Sequence, residues 1–472
     1  MKIHLFLAAF FYLFCFFAKS QTLDDAKKLY SEGNYAKALS IFEKEYDQAP
    51  QNASLNCQLG ICLYETGDFT RAEKHLAFAS QKRISEAYFY YGKLLTKMYR
   101  FEEADKEFQK YKRAKQRDKA ALDDVEKQEK YIEKLKKEIS RTEDVQIIDS
   151  MVVSKKDFLS AYHLSESTGT LTPVKKFFEL SESASNFVLY MNEKKDKVYY
   201  SQAAHTSPGK LFTMEKLLTS FGDEKMLPEP VNTNGTQAYP FVLTDGLTLY
   251  FASTGHESIG GYDLCVTRYN IASNNYLAPN RLNMPFNSPF NDYMMVIDEE
   301  KGVGWFASER FQPKDSVCVY TFIPASAIHL VESDNEDYLI RRAQIHSIKE
   351  SWKEGKEYAL LIEKARKSEI RKKVRDVDFE FVINDDITYH SLSDFKNPSA
   401  QSIFRQTLSV EEENSSIKKE LSRKREQYIH GTMNEALKNS ILHLEIRVEE
   451  SHKKAKRMKK EARNLEISYH QN

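Results

Sequence analysis

The chain has 472 residues, too many for one ordinary hydrophobic core, and a typical domain length of about 150 residues predicts roughly three units. Lysine plus arginine and aspartate plus glutamate both number 69, so the formal net charge is 0. A neutral chain has no global field that draws it to nucleic acid or to an anionic membrane. We therefore expect no nucleic-acid partner, and any partner must be recognised locally.

Residues 1–20 have the pattern of a secretory signal peptide. An unbroken apolar run extends from Leu5 to Ala18, and Ala18 and Ser20 place small residues at −3 and −1 of a cut before Gln21. The run is shorter than the ~20 residues that a spanning helix needs, which favours cleavage over an uncleaved anchor. We expect an exported protein that is cleaved near Ser20.

The cysteines predict buried thiols rather than disulfides. Cys15 lies in the signal peptide, and Cys57 and Cys62 are five residues apart on one predicted helix, where their side chains diverge. Cys265 and Cys318 fall in matching strands of two successive strand units. Small, apolar cysteine side chains of this kind are usually buried as free thiols.

Residues 21–143 contain an internal repeat of helical hairpins, built from small and aromatic residues at a fixed spacing. The repeated positions are Gly33, Tyr35, Ala38 and Phe42; then Gly67, Phe69, Ala72 and Leu76, each 34 later; then Gly92, Phe101, Ala104 and Phe108, each 32 after Gly60, Phe69, Ala72 and Leu76. These residues resemble the tetratricopeptide repeat, with Pro50 ending the first copy. The resemblance implies a stack of paired helices.

The segment after the third copy predicts an amphipathic capping helix, with Ala121, Val125, Tyr131 and Leu135 on its contact face. A repeat stack needs such a cap because each helix pair buries its apolar face only against the next pair. Concave repeat surfaces usually hold a peptide or another protein, so we expect docking here. The alternative is that the stack only supports the rest of the chain.

Residues 144–325 change to short β-branched and aromatic runs between turn residues, which predicts a β-propeller-like domain. Three runs resemble one another, "KDKVYYSQ", "DGLTLYFAS" and "KGVGWFASER", and they align Tyr199, Tyr250 and Trp305. Two units have an earlier strand, "YPFVLT" and "DYMMVID". The segment "VQIIDSMVVSKKDFLSAYHLS" could supply a further blade, and three visible units are fewer than the four to eight of a usual propeller.

The stretch "HESIGG" does not predict chemistry. A nucleophile elbow requires glycines at −2 and +2 of the serine, but His256 precedes Ser258 by two and a strand follows. We expect Gly260 and Gly261 to form a turn with positive φ, and His256 to be a loop residue that could contact a partner. The chain has no metal-ligand, phosphate-loop or dinucleotide motif, so we expect no catalytic residues, no metal and no cofactor.

The most distinctive loop, "NRLNMPFNSPFNDYMMVIDE", is rich in aromatic residues and asparagine. Phe286, Phe290 and Tyr293 could stack on a sugar or a peptide, with Asn287 and Asn291 as hydrogen-bonding partners. The alternative, which we favour, is that proline and asparagine shape turns while the aromatic rings pack between strand units.

The C-terminal third predicts a mixed helix and hairpin connector over 326–400 and a helical coiled-coil hairpin over 401–472, turning near Gly431. A seam with alternating spacings of three and four runs through Ile441, Leu444, Val448, Ser451, Ala455, Met458, Ala462 and Leu465. The seam indicates self-association or an intramolecular hairpin. The basic tail "HKKAKRMKKEAR" predicts a solvated face or, alternatively, contact with anionic lipid or a cell-wall polymer.

Together the motifs, including "GGYDLCVTRYN" and "MPFNSPFNDY", resemble an exported Bacteroidetes family that joins tetratricopeptide repeats to TolB-like, WD-like propeller blades. The resemblance implies a multidomain α + β protein of the periplasm, possible association with the outer membrane, and kinship with type IX secretion and peptidoglycan-associated proteins. It does not carry direct peptidoglycan anchoring to this chain, which ends in predicted coiled coil. We expect a non-enzymatic scaffold for protein partners; the alternative is a glycan- or peptide-binding sensor.

Overall fold

The computed structural model describes residues 22–178, 187–202, 208–217, 220–367, 379–384, 387–430 and 435–470. The chain divides into two compact units, Met1–Glu369 and Ile370–Asn472. The predicted signal peptide and the predicted turn at 431–434 lie outside the described residues. The finer boundaries drawn from the sequence stay predictions.

The described chain begins with a run of helices that pack in sequential pairs. They are α1 (Leu23–Ser31), α2 (Tyr35–Gln48), α3 (Ala53–Glu65), α4 (Phe69–Gln81), α5 (Ser85–Lys97), α6 (Phe101–Ala114) and α7 (Lys119–Ile139). Asn52, Asp68 and Asp118 cap the starts of α3, α4 and α7 by accepting a bond from a backbone N–H in the first turn. We call these seven helices the repeat stack.

Small residues set the spacing of the pairs, as predicted. A Cβ on Gly60 would lie 2.8 Å from Leu76 Cγ, and one on Gly92 would lie 2.6 Å from Phe108 Cε1. Helix α7 caps the stack with the predicted face: Ala121, Val125 and Leu135 are buried and Tyr131 is half-buried. The apolar periodicity therefore predicted both the pairing and the cap.

The strands of the first unit come next in the chain, and we call them the strand body. In chain order they are β1 (Ile147–Ser154), β2 (Thr170–Pro173), β3 (Val188–Met191), β4 (Lys197–Gln202), β5 (Lys210–Leu217), β6 (Ser220–Met226), β7 (Gln237–Val242), β8 (Thr248–Ser253), β9 (Asp263–Asn270), β10 (Asn275–Tyr276), β11 (Asn280–Arg281), β12 (Asp292–Asp298), β13 (Val303–Ser308) and β14 (Ser316–Phe322), with the one-turn helix α8 (Val174–Phe177) after β2.

These strands form three antiparallel sheets among the described residues: β2-β3-β4-β5-β6; β10-β9-β8-β7 with β11 beside β9; and β1-β14-β13-β12. The three predicted runs are the equivalent strands β4, β8 and β13, in which Tyr199, Tyr250 and Trp305 pair with Thr213, Val266 and Thr321. The predicted earlier strands are β7 and β12.

The segment considered as a source of another blade instead contributes one strand, β1, to the last sheet. Strand β1 pairs with β14 from Ile147 opposite Phe322 to Ser154 opposite Ser316, so it is the outer strand of the last sheet. The backbone groups of β1 are satisfied by a partner about 165 residues downstream, which local pattern does not reveal. Closure of the sheets into a propeller stays a prediction.

Two short helices, α9 (Glu336–Gln344) and α10 (Ala359–Arg366), complete the described part of the first unit. The second unit contains a small hairpin, β15 (Phe381–Val382) and β16 (Thr388–Tyr389), and two long helices, α11 (Pro398–His430) and α12 (Glu435–His470). No described helix combines the length and apolar character that crossing a bilayer requires.

Helices α11 and α12 run antiparallel. Ser451 Oγ donates to the Val410 carbonyl at 3.4 Å, and Lys424 Nζ lies 2.7 Å from Ser440 Oγ. Every residue of the predicted seam is buried or half-buried, because the seam packs on α11 within the chain. Supercoiling of the pair stays a prediction.

Candidate functional site

The predicted aromatic loop lies against the repeat stack, and we call this contact the junction. Phe290 is 4% exposed, and its ring centroid is 5.6 Å from that of Phe69 and 5.3 Å from that of Phe311. Lys97 Nζ lies 5.2 Å and 5.5 Å from the Phe69 and Phe290 centroids and donates to the Pro289 carbonyl. A cation between two rings, with its N–H bonded, ties α4 and α5 to the strand body.

The other two aromatic residues of the loop are buried in the strand body. Phe286 packs edge-on against Phe322 with centroids 5.0 Å apart, and Tyr293 stacks on Tyr239 with centroids 4.6 Å apart. Burial raises the pKa of Tyr293 well above its ordinary value. A stacking platform needs an open ring face, so these rings would have to be uncovered before they could bind a sugar.

The side chains of the two asparagines both form hydrogen bonds with backbone groups of the strand body. Asn287 is fully buried; its Oδ1 accepts from Leu264 N at 2.6 Å and its Nδ2 donates to Leu264 O at 3.0 Å. Asn291 Oδ1 accepts from Tyr262 N at 3.0 Å, and its Nδ2 donates to Glu309 at 2.9 Å. Asn287 thus binds the loop to β9, and Asn291 binds it to the residues just before β9 and just after β13. Contact of either residue with a separate molecule stays a prediction.

Asn287 has a counterpart that sequence reasoning missed. Asn232 Oδ1 accepts from Leu211 N and its Nδ2 donates to Leu211 O, both at 2.9 Å, just as Asn287 pairs with Leu264. Each asparagine stands two residues after a cis proline, Pro230 and Pro285. The repeated spacing of 55 residues between these asparagines was a signal of a structural role.

His256 is half-buried and already partnered within the chain. Its Nδ1 lies 2.8 Å from Ser253 Oγ and its Nε2 lies 2.9 Å from the Pro230 carbonyl oxygen. Positive φ occurs at His256 and Glu257, with values of 52° and 57°. Because both ring nitrogens have partners within the chain, His256 stabilises its own loop. Its contact with a separate partner stays a prediction.

The expectation of positive φ at Gly260 and Gly261 was wrong. A Cβ on Gly260 would lie 2.1 Å from Phe290 O, and one on Gly261 would lie 2.0 Å from Asn291 Oδ1. Glycine is needed at these positions because the Phe290 backbone and the Asn291 side chain approach closely, and neither glycine has positive φ. By contrast Gly246, in the Asp-Gly pair that begins "DGLTLYFAS", does have positive φ, at 67°.

The side chain of Asp263 holds the "HESIGG" loop in place through hydrogen bonds. Its carboxylate is fully buried and accepts from Ile259 N at 3.0 Å, Gly260 N at 3.2 Å and Ser258 Oγ at 3.1 Å. Burial raises the pKa of Asp263 to about 6, although these donors and Arg281 oppose the rise. The hydroxyl of Ser258 is therefore bonded within its own loop, to Asp263 and to the Gly261 carbonyl.

Helix α7 holds the other side of the same loop. Arg281 bridges Glu138 of α7 and Asp263, with Nη1 3.4 Å from the latter. Tyr131 donates its hydroxyl to the Ile259 carbonyl, and Lys134 Nζ donates to the Glu257 carbonyl at 2.9 Å. Helix α7 therefore packs on the repeats and also binds the strand body.

A buried ion pair lies beside this contact. Arg310 is 1% exposed, and its Nη2 lies 2.8 Å from Asp292 Oδ1 while its Nε donates to Ser308 Oγ at 2.7 Å. Ser288 Oγ donates to the second Asp292 oxygen at 2.6 Å. Sequence reasoning treated "GWFASER" only as a strand motif and missed that its arginine enters the core.

A cleft of about 210 Å³ opens at the junction between α4, α5 and the strand body. Phe290, Asn291, Lys97 and Glu309 are among its lining residues. Lys155 Nζ lies 2.9 Å from Glu309, and burial lowers the pKa of Lys97 to about 8. The cleft brings two predicted contact residues together with charged groups of both domains.

A second surface lies on the repeat helices, formed by Tyr64 of α3 and by Phe89, Tyr90 and Lys93 of α5; we call it the aromatic–lysine cluster. Lys93 Nζ lies 4.7 Å from the Tyr64 and Tyr90 centroids and 5.7 Å from that of Phe89. Glu65 lies 3.8 Å away, and the side chain of Lys93 stays 22% exposed. Tyr64 is buried, whereas Phe89, Tyr90 and Lys93 are half-buried. Partly exposed rings beside a cation suit recognition of a peptide.

The described residues hold no group of three or more His, Cys, Asp or Glu side chains placed to bind a metal ion. The four described cysteines are buried free thiols, as predicted. Burial raises the pKa of Cys57, Cys62 and Cys265 to about 12, so each stays protonated at neutral pH and is a poor nucleophile.

Comparison with known proteins identifies the repeats. A family model described as tetratricopeptide repeat matches residues 29–82. A search of curated proteins finds no match. Among solved structures, the C-terminal part of a TPR repeat-containing protein from Cytophaga hutchinsonii shows 27% identity over 22% of this chain and 40% of that chain, with a TM-score of 0.19. The chain thus spans less than half of that structure. The predicted tetratricopeptide repeat is confirmed over residues 29–82, and such repeats are a protein–protein interaction module.

Proposed function

We propose that the protein is a non-enzymatic adaptor of the periplasm, peripheral to the outer membrane after cleavage near Ser20, that docks protein partners on its repeat stack and its propeller-like body. The single observation that supports this most is the aromatic–lysine cluster. It places Lys93, whose side chain is 22% exposed, over the buried ring of Tyr64 and the half-buried ring of Tyr90. The TolB-like blades and the kinship with type IX secretion components belong to the same proposal.

The junction supports an adaptor in a second way. Lys97, Tyr131 and Arg281 bond the repeat stack to the strand body at three separate places. A partner held on the repeats would therefore be held in a fixed orientation to the strand body. Fixed orientation lowers the entropy cost of engaging both surfaces at once.

The experiment is a pull-down from crosslinked cell envelopes with three forms of the full chain. Lys93→Glu reverses the charge over the aromatic rings, and Lys106→Glu makes the same change at an exposed position of α6. We expect the wild type and Lys106→Glu to recover the same protein partner and Lys93→Glu to lose it. Recovery of that partner by all three forms, or of no protein by any, contradicts the proposal.

The cleft supports a second candidate, a sensor for a glycan or peptide ligand. Phe290 and Asn291 line it, together with the half-buried Lys97. Replacing Phe290 would disturb packing, so Asn291→Ala and Gln312→Ala are the sharper variants. Wild-type binding to a glycan or muropeptide panel that both variants lose would favour the sensor, and absence of binding by the wild type would exclude it.

Self-association through the C-terminal helices is the remaining part of the proposal. The seam faces α11 within the chain, as at Ile441 and Leu444, so a dimer through it would require exchange of helices between copies. Size-exclusion chromatography with light scattering measures the outcome directly. A monomer at all concentrations would remove self-association from the proposal.

A further inference from the structure

An open furrow runs between α11 and α12 in the second unit. Its volume is about 880 Å³, and a second cavity of about 330 Å³ continues it along α12, sharing Arg457 and Lys460 with the first. The larger cavity is lined by eleven residues, of which six are cations. These six are Arg447, Lys453, Lys454, Lys456, Arg457 and Lys460.

Most of this charge is not neutralised within the chain. Arg447 lies 3.4 Å from Glu413, and Lys453 lies 2.5 Å from Glu449. The structure shows no carboxylate partner for the remaining four cations among the described residues, and all four are exposed. We call Lys454, Lys456, Arg457 and Lys460 the furrow cations.

The cations on α12 repel one another, which destabilises the helix. Lys456 and Lys460 are four residues apart, and like charges at this spacing destabilise a helix by a few tenths of a kcal/mol per pair. Glu450 and Glu461, four residues from Lys454 and Arg457, offset part of the repulsion along α12. A bound anion would remove this repulsion. The cations from Lys453 to Lys460 span about 10 Å of helix, which is longer than one anionic group and suits a chain of them.

We propose that the furrow binds an anionic polysaccharide chain through its carboxylate or phosphate groups. The lining favours this class of ligand. A docked protein helix needs several apolar anchors, and only Val410 and Ile417 among the eleven lining residues are apolar. Single-stranded nucleic acid is usually held by aromatic stacking, and none of the lining residues is aromatic.

A membrane surface fits less well than a polymer chain. Interfacial helices insert an apolar face between lipid headgroups, but the apolar seam of α12 is packed on α11. The furrow cations line a cavity between two helices, whereas a bilayer surface is flat. The inference goes beyond the adaptor role, which depends on the repeat stack, so the two proposals can fail separately.

The test uses the full chain and fluorescently labelled polygalacturonate, with neutral dextran of equal length as the control polymer. The furrow variant changes the furrow cations to glutamine: Lys454→Gln, Lys456→Gln, Arg457→Gln and Lys460→Gln. A matched variant changes three lysines and one arginine that are exposed on the repeat stack: Lys37→Gln, Lys106→Gln, Arg117→Gln and Lys119→Gln. Both variants lose four positive charges, and circular dichroism verifies that both keep their helices.

We expect the wild type and the matched variant to bind polygalacturonate, the furrow variant to bind at least about tenfold more weakly, and binding to weaken as salt rises. Neutral dextran should not bind. The inference is overturned if the wild type does not bind, if dextran binds as well, if both variants behave alike, or if phosphatidylglycerol vesicles retain the protein while polygalacturonate does not. The pull-down with Lys93→Glu is unaffected by each of these outcomes.

Discussion

The repeat stack and the strand body need glycine for different reasons. In the repeats, a Cβ on Gly92 would meet the ring of Phe108, which belongs to the next helix of the same pair. In the strand body, a Cβ on Gly260 would meet the backbone oxygen of Phe290, on a loop that itself touches the repeats. The repeats are held by local contacts, whereas the strand body and its junction depend on distant ones.

The largest expected effect comes from breaking the buried ion pair of Arg310 and Asp292 in the strand body. Arg310→Met leaves the Asp292 carboxylate buried without its cation, and we expect the free energy of unfolding to fall by about 3–5 kcal/mol. Both tryptophans, Trp305 and Trp352, lie in the first unit, so their fluorescence in a urea titration measures the effect.

The matched control is Arg268→Met, because Arg268 is exposed and lies 3.7 Å from Asp245 at the surface. Its loss should change the free energy of unfolding by less than about 1 kcal/mol. Equal effects of the two substitutions would show that the strand body does not depend on the buried pair.

The second test measures the junction itself. Phe290→Ala removes a buried ring and should cost about 3–5 kcal/mol. A double-mutant cycle with Phe69→Ala isolates the contact between the repeat stack and the strand body, and we expect a coupling of about 0.5–1.5 kcal/mol. Zero coupling would mean that the two rings do not meet in solution.

The third test separates crowding from backbone strain at glycine. Gly260→Ala drives a methyl group into the Phe290 carbonyl and should cost about 1–3 kcal/mol. Gly246→Ala has open space but positive φ, so its cost should be near 1 kcal/mol. A smaller loss at Gly260 than at Gly246 would show that the Phe290 carbonyl does not crowd Gly260.

The smallest test is a pH dependence. Burial raises the pKa of Asp263 from its ordinary value near 3.8 to about 6, so between these values the folded protein holds a proton that the unfolded chain has released. The contribution of Asp263 to stability is therefore present at low pH and is lost as pH rises through about 6. Asn at position 263 does not titrate, so Asp263→Asn should keep the roughly 1–3 kcal/mol of unfolding free energy that the wild type loses over this pH range.

Urea titrations of the wild type and Asp263→Asn at pH 4.5 and 7 provide the measurement. The wild type should lose more stability than the variant between the two values, since other titrating groups are common to both. An identical pH dependence would place Asp263 in water rather than in the core.

The sequence predicted the features that local periodicity determines. The repeat positions, the face of α7 from Ala121 to Leu135, the equivalent strands β4, β8 and β13, and the seam of α12 all follow from residue spacing. The sequence did not predict that β1 pairs with β14 or that Phe290 packs on Phe69, because these partners are about 165 or more residues apart. An aromatic or asparagine residue gives the same sequence pattern whether it faces a ligand or packs against another part of the chain.

The central claim is that the aromatic–lysine cluster docks a protein, and site-specific photo-crosslinking in intact cells tests it most directly. The crosslinker replaces Glu86, which is exposed on α5 one and two turns before Tyr90 and Lys93, and in a second strain it replaces Lys106 on α6. We predict a discrete protein adduct at position 86 that is absent at position 106. Equal adducts at both positions, or none at position 86, would contradict the claim.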